Sequence, residues 1–299
     1  MAKDQNASLR HIVWDAKFLH SKPAQYSIDP PDGIPKENFT LALAPKQRIA
    51  DIRSSDETFK LDTHGFAVRD NPLPPMIWDD ENIEKTYIPM LSAMLREAVP
   101  DATKVVTFDY RLRSSSDRVP DTAELAFKNF TEWIAPFERV HVGKTMSLVP
   151  YMFGDPIAEL KKDQTPARAE ERVVAHMGAE APHLLKYRWR AINVWRPIEN
   201  PVQDCPLALC DARSVGPGDL VATDNYRETF SGESYNMVYS PKHKWYYLSE
   251  QTKDEVLLFK IHDSSDDVEA KCENVKPRSA AEKKAEIYKL PTVFSYFYT

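Results

Sequence analysis

The residues with chemical capability fall mostly in the second half of the chain. In the strand-like segment Arg190 to Ile198, a period of two sends Asn193 and Trp195 to one face and Arg196 to the other. Either one of those faces lines a pocket, or the tryptophan is core and the arginine is salt-bridged at the surface. Tyr246 and Tyr247 alternate in the same way, so one of the two hydroxyls faces a cavity, available as an acid, a base or a hydrogen-bond partner. His262 ends a strand-like run and reads either as a partly buried structural histidine or as a ligand or substrate contact pointing inward. Asp211 and Arg213 share a face and most simply pair with each other. His64, His176, His183 and His243 have no mutual spacing of the kind a metal needs, and Cys205, Cys210 and Cys272 form neither a metal-type pair nor a disulfide framework. There is no glycine-rich phosphate loop, nucleophile elbow or His-Glu-x-x-His helix, so hydride transfer, serine hydrolysis and zinc proteolysis have no support.

These side chains need a scaffold, and 299 residues, 42% hydrophobic, can bury a full core. A formal net charge of -6 gives no general attraction for nucleic-acid phosphates or an anionic membrane surface. No apolar run approaches the length of a bilayer span or a signal-peptide core. The expectation is a cytoplasmic protein whose partner is a small molecule, with homodimer formation left open. The chain has 8 glycines against 23 prolines, and the prolines crowd before residue 100, which implies an extended, turn-rich arm over 1–85. From Tyr87, the apolar positions Met90, Leu91, Met94, Leu95 and Ala98 form the stripe of an amphipathic helix that ends before Pro100. A strand follows at Lys104 to Asp109. Asp121 to Glu124 opens a second helix with Phe130, Trp133 and Ile134 on its buried face, and Thr165-Pro166 opens a third, running to about Met177. After that the segments read as strands: Arg190 to Ile198, Leu207 to Val215, Asp219 to Thr223, Lys244 to Leu248, Glu255 to His262 and Ile287 to Phe297. Helices followed by strands predict an α+β chain with a mostly antiparallel sheet. One domain over 1–299 is the simpler account, divided into the arm, helices and first strands over 86–180, and the main sheet part over 181–299.

Several segments, in order and spacing, resemble a known family. They are Asp62-Thr63-His64-Gly65-Phe66-Ala67-Val68, Asp163-Gln164-Thr165-Pro166 with Glu171-Arg172-Val173, Asn193-Val194-Trp195-Arg196-Pro197-Ile198, Pro206 to Val215, and His243-Lys244-Trp245-Tyr246-Tyr247 with Asp254 to Lys260. Together they look like the hydroxylase/desaturase family, which takes in the aspergillic acid hydroxylase/desaturase, gibberellin desaturase-like proteins and the cephamycin 7α-hydroxylase. The resemblance implies a double-stranded β-helix, or jelly roll, with a helical, proline-rich N-terminal elaboration. It also implies a role in fungal or bacterial secondary-metabolite biosynthesis and, in active oxygenases of the family, Fe(II) and 2-oxoglutarate.

Such an oxygenase holds iron with two histidines and one carboxylate, the first half written His-x-Asp. The matching stretch here is Lys161-Lys162-Asp163, and a protonated lysine has no lone pair for a metal. The plainer readings are a solvated lysine pair and a carboxylate that simply precedes the Thr165 cap. The second histidine is expected between the Phe259-Lys260 strand and a Pro-Arg-x-Ser-x-Glu-x-Arg segment. That interval, Ser264 to Lys276, contains no histidine; the ligand position falls on Lys271, Cys272 or Glu273, or is deleted. Pro277 to Lys284 partly matches the segment and puts Lys284 where the family's arginine holds 2-oxoglutarate, while a second register puts Tyr288 there.

On these residues the expectation is a natural-product enzyme without metal or cofactor, catalysing a non-redox step such as cyclisation, isomerisation, dehydration or a pericyclic closure. Lys161, Asp163 and Tyr247 would be its acid/base groups, and Asn193, Trp195, Arg196, Tyr246, His262, Lys271 and Lys284 would contact substrate. The alternatives are an Fe(II)/2-oxoglutarate hydroxylase or desaturase with unrecognised ligands, and a non-catalytic binding protein.

Overall fold

The computed structural model describes residues 3–110, 112–113, 133–134, 139–147, 166–216, 218–226, 231–265, 267–270 and 293–298. In chain order the strands are β1 (Gln5–Ala7), β2 (Arg10–Ile12), β3 (Ala24–Tyr26), β4 (Leu41–Leu43), β5 (Gln47–Asp51), β6 (Phe66–Asp70), β7 (Lys104–Tyr110), β8 (Leu112–Arg113), β9 (Trp133–Ile134), β10 (His141–Ser147), β11 (Trp189–Trp195), β12 (Leu209–Cys210), β13 (Leu220–Tyr226), β14 (Ser231–Met237), β15 (Trp245–Tyr247), β16 (Glu255–Asp263) and β17 (Val293–Tyr298).

The largest sheet has five strands in the order β6-β16-β11-β17-β7, all antiparallel. Its central strands are apolar on both faces because both are covered. On one face, Trp189, Ala191, Leu257, Phe259 and Ile261 join an interior core with Leu220 and Met237 of the sheet β10-β14-β13-β3 and with Ile49 and Trp245 of the sheet β1-β5-β15-β12. On the other face, Ile192, Val194, Val256 and Leu258 meet the helix Ile88–Ala98. That helix buries Leu91, Met94 and Leu95, the stripe read from the sequence, and its last turn gives way at Val99, before Pro100. Leu95→Ala is expected to cost about 2–5 kcal/mol of unfolding free energy by urea titration, because the buried side chain leaves a cavity between helix and sheet.

Several details differ from the sequence reading. The residues Leu207 to Val215 do not continue as one strand: only Leu209–Cys210 pairs, since the Asp211 carboxylate accepts from the Arg213 amide at 3.0 Å and starts a 3-10 turn at Ala212–Ser214. Trp133–Ile134, read as helical, forms a short parallel pair with Leu112–Arg113, and the proposed helix start at Asp121 lies outside the described residues. The strand Ser231–Met237 gives no propensity signal, being polar with no β-branched residue, and it forms because β10 and β13 pair with it on both sides. The N-terminal arm also contributes to the sheets: β5 runs parallel to β15, β3 runs parallel to β13, and β6 edges the five-stranded sheet. Gly65 makes the turn into β6, with φ of 84° at the C-terminal end of Leu61–His64, a conformation that strains any residue with a Cβ.

Candidate functional site

The strand β11 carries the Asn193 group of residues, and the structure separates their roles as period two requires. Asn193 is buried opposite Phe259, and Trp195 lies opposite Leu257 and packs on the interior core. Arg196 leaves by the other side. Its guanidinium donates to the Lys253 carbonyl at 3.0 Å and to the Asn71 side chain, and lies 5.7 Å over the Tyr87 ring. Burial lowers the Arg196 pKa, a shift only partly offset by Tyr87 and Asp254. Arg196 thus ties the end of β11 to the outer helical layer, away from the face of Asn193 and Trp195.

The two tyrosines also part. Tyr246 is half-buried in an aromatic group, its ring 4.9 Å from Phe59 and 5.9 Å from Phe66. Burial raises its pKa, with the Asp211 and Glu57 charges adding to the rise. The Tyr247 hydroxyl donates to the Lys3 carbonyl, so it anchors the start of the chain. His262 is buried, opposite Ala191, and stacked on Trp189 with ring centroids 3.9 Å apart; a register shift at Ala191/Ile192 puts it there. Asp211 and Arg213 pair as expected, with a closest approach of 2.6 Å, and Glu57 bridges Arg213 to His64 at 2.8 Å on each side. Lys161, Asp163, Lys271 and Lys284 lie outside the described residues.

Two features escaped the sequence reading. The first is an ion cluster where β11 begins and β16 ends. Lys260, fully buried, donates to Asp263 at 2.5 Å and Asp62 at 3.1 Å; Arg188 donates to both oxygens of Asp263 at 3.0 and 2.7 Å and to Asp62 at 2.8 Å. Burial alone would raise the Asp263 carboxyl, but the Arg188 bonds and the Lys260 charge outweigh it and hold the pKa at about 2. Nothing in the sequence signals this, since Asp62 and Arg188 meet Lys260 only through the fold.

The second is His141, buried at the start of β10 opposite Asn236. Its Nδ1 lies 2.8 Å from the Arg139 carbonyl oxygen. Donation there puts the proton on Nδ1 and leaves the lone pair on Nε2, the tautomer of a histidine that ligates a metal through Nε2. The helix Pro166–Met177, which begins three residues after Asp163, packs against β10, and β10 in turn approaches β16, the strand of His262. Among the described residues no three His, Cys, Asp or Glu side chains stand together as a metal site. A set of three would have to draw on residues outside the described ones.

Comparison with known proteins places this geometry in context. A family described as "Oxidoreductase/YMDC permease-like domain" matches residues 14–289. The Fe(II)/2-oxoglutarate-dependent dioxygenase nvfI of Aspergillus novofumigatus is 30% identical over 248 residues, which cover 80% of this chain and 77% of the relative. The hydroxylase/desaturase efuI of Hormonema carpetanum is 31% identical over 239 residues, 75% of this chain and 73% of its own. A solved structure of the iron and alpha-ketoglutarate-dependent endoperoxidase NvfI superposes with a TM-score of 0.72 at 24% identity, covering 99% of this chain and 98% of that one. Another of the same protein gives 0.70 at 25% identity, covering 98% and 95%. The fold is accordingly the jelly roll of that oxygenase. These likenesses overturn the expectation of a cofactor-free, metal-independent, non-redox catalyst: the dioxygenase and the endoperoxidase that match most of the chain are iron and 2-oxoglutarate enzymes, and loss of the histidine from a local His-x-Asp pattern does not outweigh a likeness of that extent. The chain belongs to the hydroxylase/desaturase family of Fe(II)/2-oxoglutarate-dependent oxygenases.

Proposed function

We propose that this protein is an Fe(II)/2-oxoglutarate-dependent hydroxylase or desaturase acting on a small-molecule intermediate of secondary metabolism. The observation that carries the reading is 30% sequence identity to an Fe(II)/2-oxoglutarate-dependent dioxygenase over 80% of the chain and 31% to a hydroxylase/desaturase over 75% of it, on a fold that matches over 99% of the chain. The first half of the ligand set is met if it is divided in the sequence: His141-Val142 supplies the histidine and Asp163 the carboxylate, with residues 143–162 interposed between them. His141 has the buried setting for that task, and donation from Nδ1 to the Arg139 carbonyl would give it the matching tautomer. Bound there, Fe(II) with 2-oxoglutarate and dioxygen would supply the oxidising power to break a substrate C–H bond, with 2-oxoglutarate leaving as succinate and CO2.

The remaining groups bind and orient. Asn193 and Trp195 present an amide and a ring from the inner face of β11, and Tyr246 adds a hydroxyl beside Phe59 and Phe66. Lys284 or Lys271 supplies the positive charge for the co-substrate carboxylate, as a point charge in place of a two-pronged guanidinium. We read the chain as one domain in which the proline-rich first third is an elaboration of the jelly roll, working in the cytoplasm. No helix among the described residues is long and apolar enough to cross a membrane.

The test is anaerobic Fe(II) titration of the purified protein, followed by succinate measurement on admitting oxygen. One iron per chain and succinate formed in step with 2-oxoglutarate consumption are expected. A protein that takes up no Fe(II) and forms no succinate refutes the assignment.

A further inference from the structure

We propose that the N-terminal segment around β2 is an acid-released strap, docked on the sheet β10-β14-β13-β3 at neutral pH and let go by protonation of His11, which is buried against His243. The strap is well attached. The Val140 amide donates to the Arg10 carbonyl at 2.9 Å, β2 pairs with β4, and Ile12 packs against Phe39 and Val221 of β13. Farther along, Lys22 is ion-paired with Asp224 and Glu233, and the Tyr26 ring stacks on Tyr226 at 4.5 Å. At the centre of the contact His11 is 2% exposed, with Nδ1 3.2 Å from the Met237 carbonyl oxygen of β14. The His243 ring lies nearly parallel to it, 17° between planes and 6.4 Å between centroids. Tyr239 and Trp245 meet His11 edge-on at 5.9 and 6.2 Å.

Each imidazole has one nitrogen satisfied and one that is not. His243 Nε2 is 2.9 Å from Asp219 and His11 Nδ1 is at Met237, while His11 Nε2 and His243 Nδ1 are buried without a hydrogen-bond partner among the described residues. His11 is at ease only when neutral. A proton added to His11 Nε2 creates a buried cation and a buried N–H that lacks an acceptor, both unfavourable. The groups facing His11 do not relieve it. From the segment before β15 come His243 and Tyr239, with Asp219 behind His243 and already engaged by it; β14 offers the Met237 carbonyl, β15 offers Trp245, β4 offers only Leu41, Ala42 and Leu43, and the flanking charges are Arg10 and Arg139. Burial pushes His11 down from 6.5 to about 4, the Met237 carbonyl opposing this and His243 adding to it. The undocked strap therefore takes up a proton between those two values and the docked one does not. Docking is complete above pH 6.5 and weakens as the pH falls toward 4, by about thirty-fold at pH 5 relative to pH 8.

Amide exchange, corrected for its intrinsic pH dependence, reads this directly. From pH 8 to pH 5, protection of residues 9–13 is expected to fall about thirty-fold while that of Leu257 to Phe259 holds, and His11→Gln, which cannot titrate, is expected to remove most of that dependence. Protection of residues 9–13 that stays flat over the range, or that falls together with the core, overturns the proposal on the unmodified protein alone. A His11→Gln variant that keeps the original pH profile overturns it as well.

Discussion

Asp163→Ala is expected to abolish stoichiometric Fe(II) binding and to lower succinate formation by about 100-fold or more, since loss of even an outer partner of a metal ligand costs 10–100-fold. His141→Ala is expected to do the same, and this pairing gives the experiment its force. If the ligand set is divided by residues 143–162, the two variants behave alike in metal content as well as turnover. Lys161→Ala, by contrast, should leave both unchanged, because a lysine ammonium offers no lone pair. Metal content of the isolated protein is the decisive readout, since it does not depend on finding the substrate. Full iron occupancy in His141→Ala would move the histidine elsewhere. Loss of iron in Lys161→Ala would restore importance to the stretch Lys161-Lys162-Asp163.

The second large effect concerns stability. Asp263→Ala removes the carboxylate that Lys260 and Arg188 share, leaving a fully buried ammonium with the half-exposed Asp62 as its other ion-pair partner among the described residues. The expected cost is about 3–5 kcal/mol in urea unfolding, the penalty for breaking a buried pair by removing one partner. Replacing both members, as Lys260→Met with Asp263→Leu, should recover much of that loss, because the charge and its counter-charge leave together. The pH dependence follows from Asp263. Its pKa in the folded protein is about 2 against an ordinary 3.8, so its contribution is complete above pH 3.8 and disappears as the pH falls toward 2. A single variant within about 1 kcal/mol of the parent would mean that the cluster relaxes and water replaces the carboxylate.

A local motif can mislead about iron. Spacing is a sound guide when the chain between two ligands is as short as the family pattern assumes. Here Lys161-Lys162-Asp163 keeps the carboxylate and the spacing while the histidine type is lost, and the only reading available within three residues is that iron has gone. Similarity along the whole length points the other way, and a buried histidine on β10, packed by the helix that follows Asp163, gives that similarity a chemical outlet.

By itself, the sequence determined the helix Ile88–Ala98, the strands β7, β11 and β16, the opposed faces of Asn193 and Arg196, and the pairing of Asp211 with Arg213. All of these rest on periodicity or on neighbours two to four residues apart, where chain geometry leaves few choices. Only the tertiary structure decided the rest. It paired β14 on both edges despite a sequence poor in strand formers, and it sent the Tyr247 hydroxyl to Lys3. It also gathered Asp62, Arg188, Lys260 and Asp263 into one buried cluster and stacked His11 on His243. Those partners are as much as 244 residues apart along the chain. Their meeting depends on which sheet edges find one another, and a local sequence pattern carries no record of that.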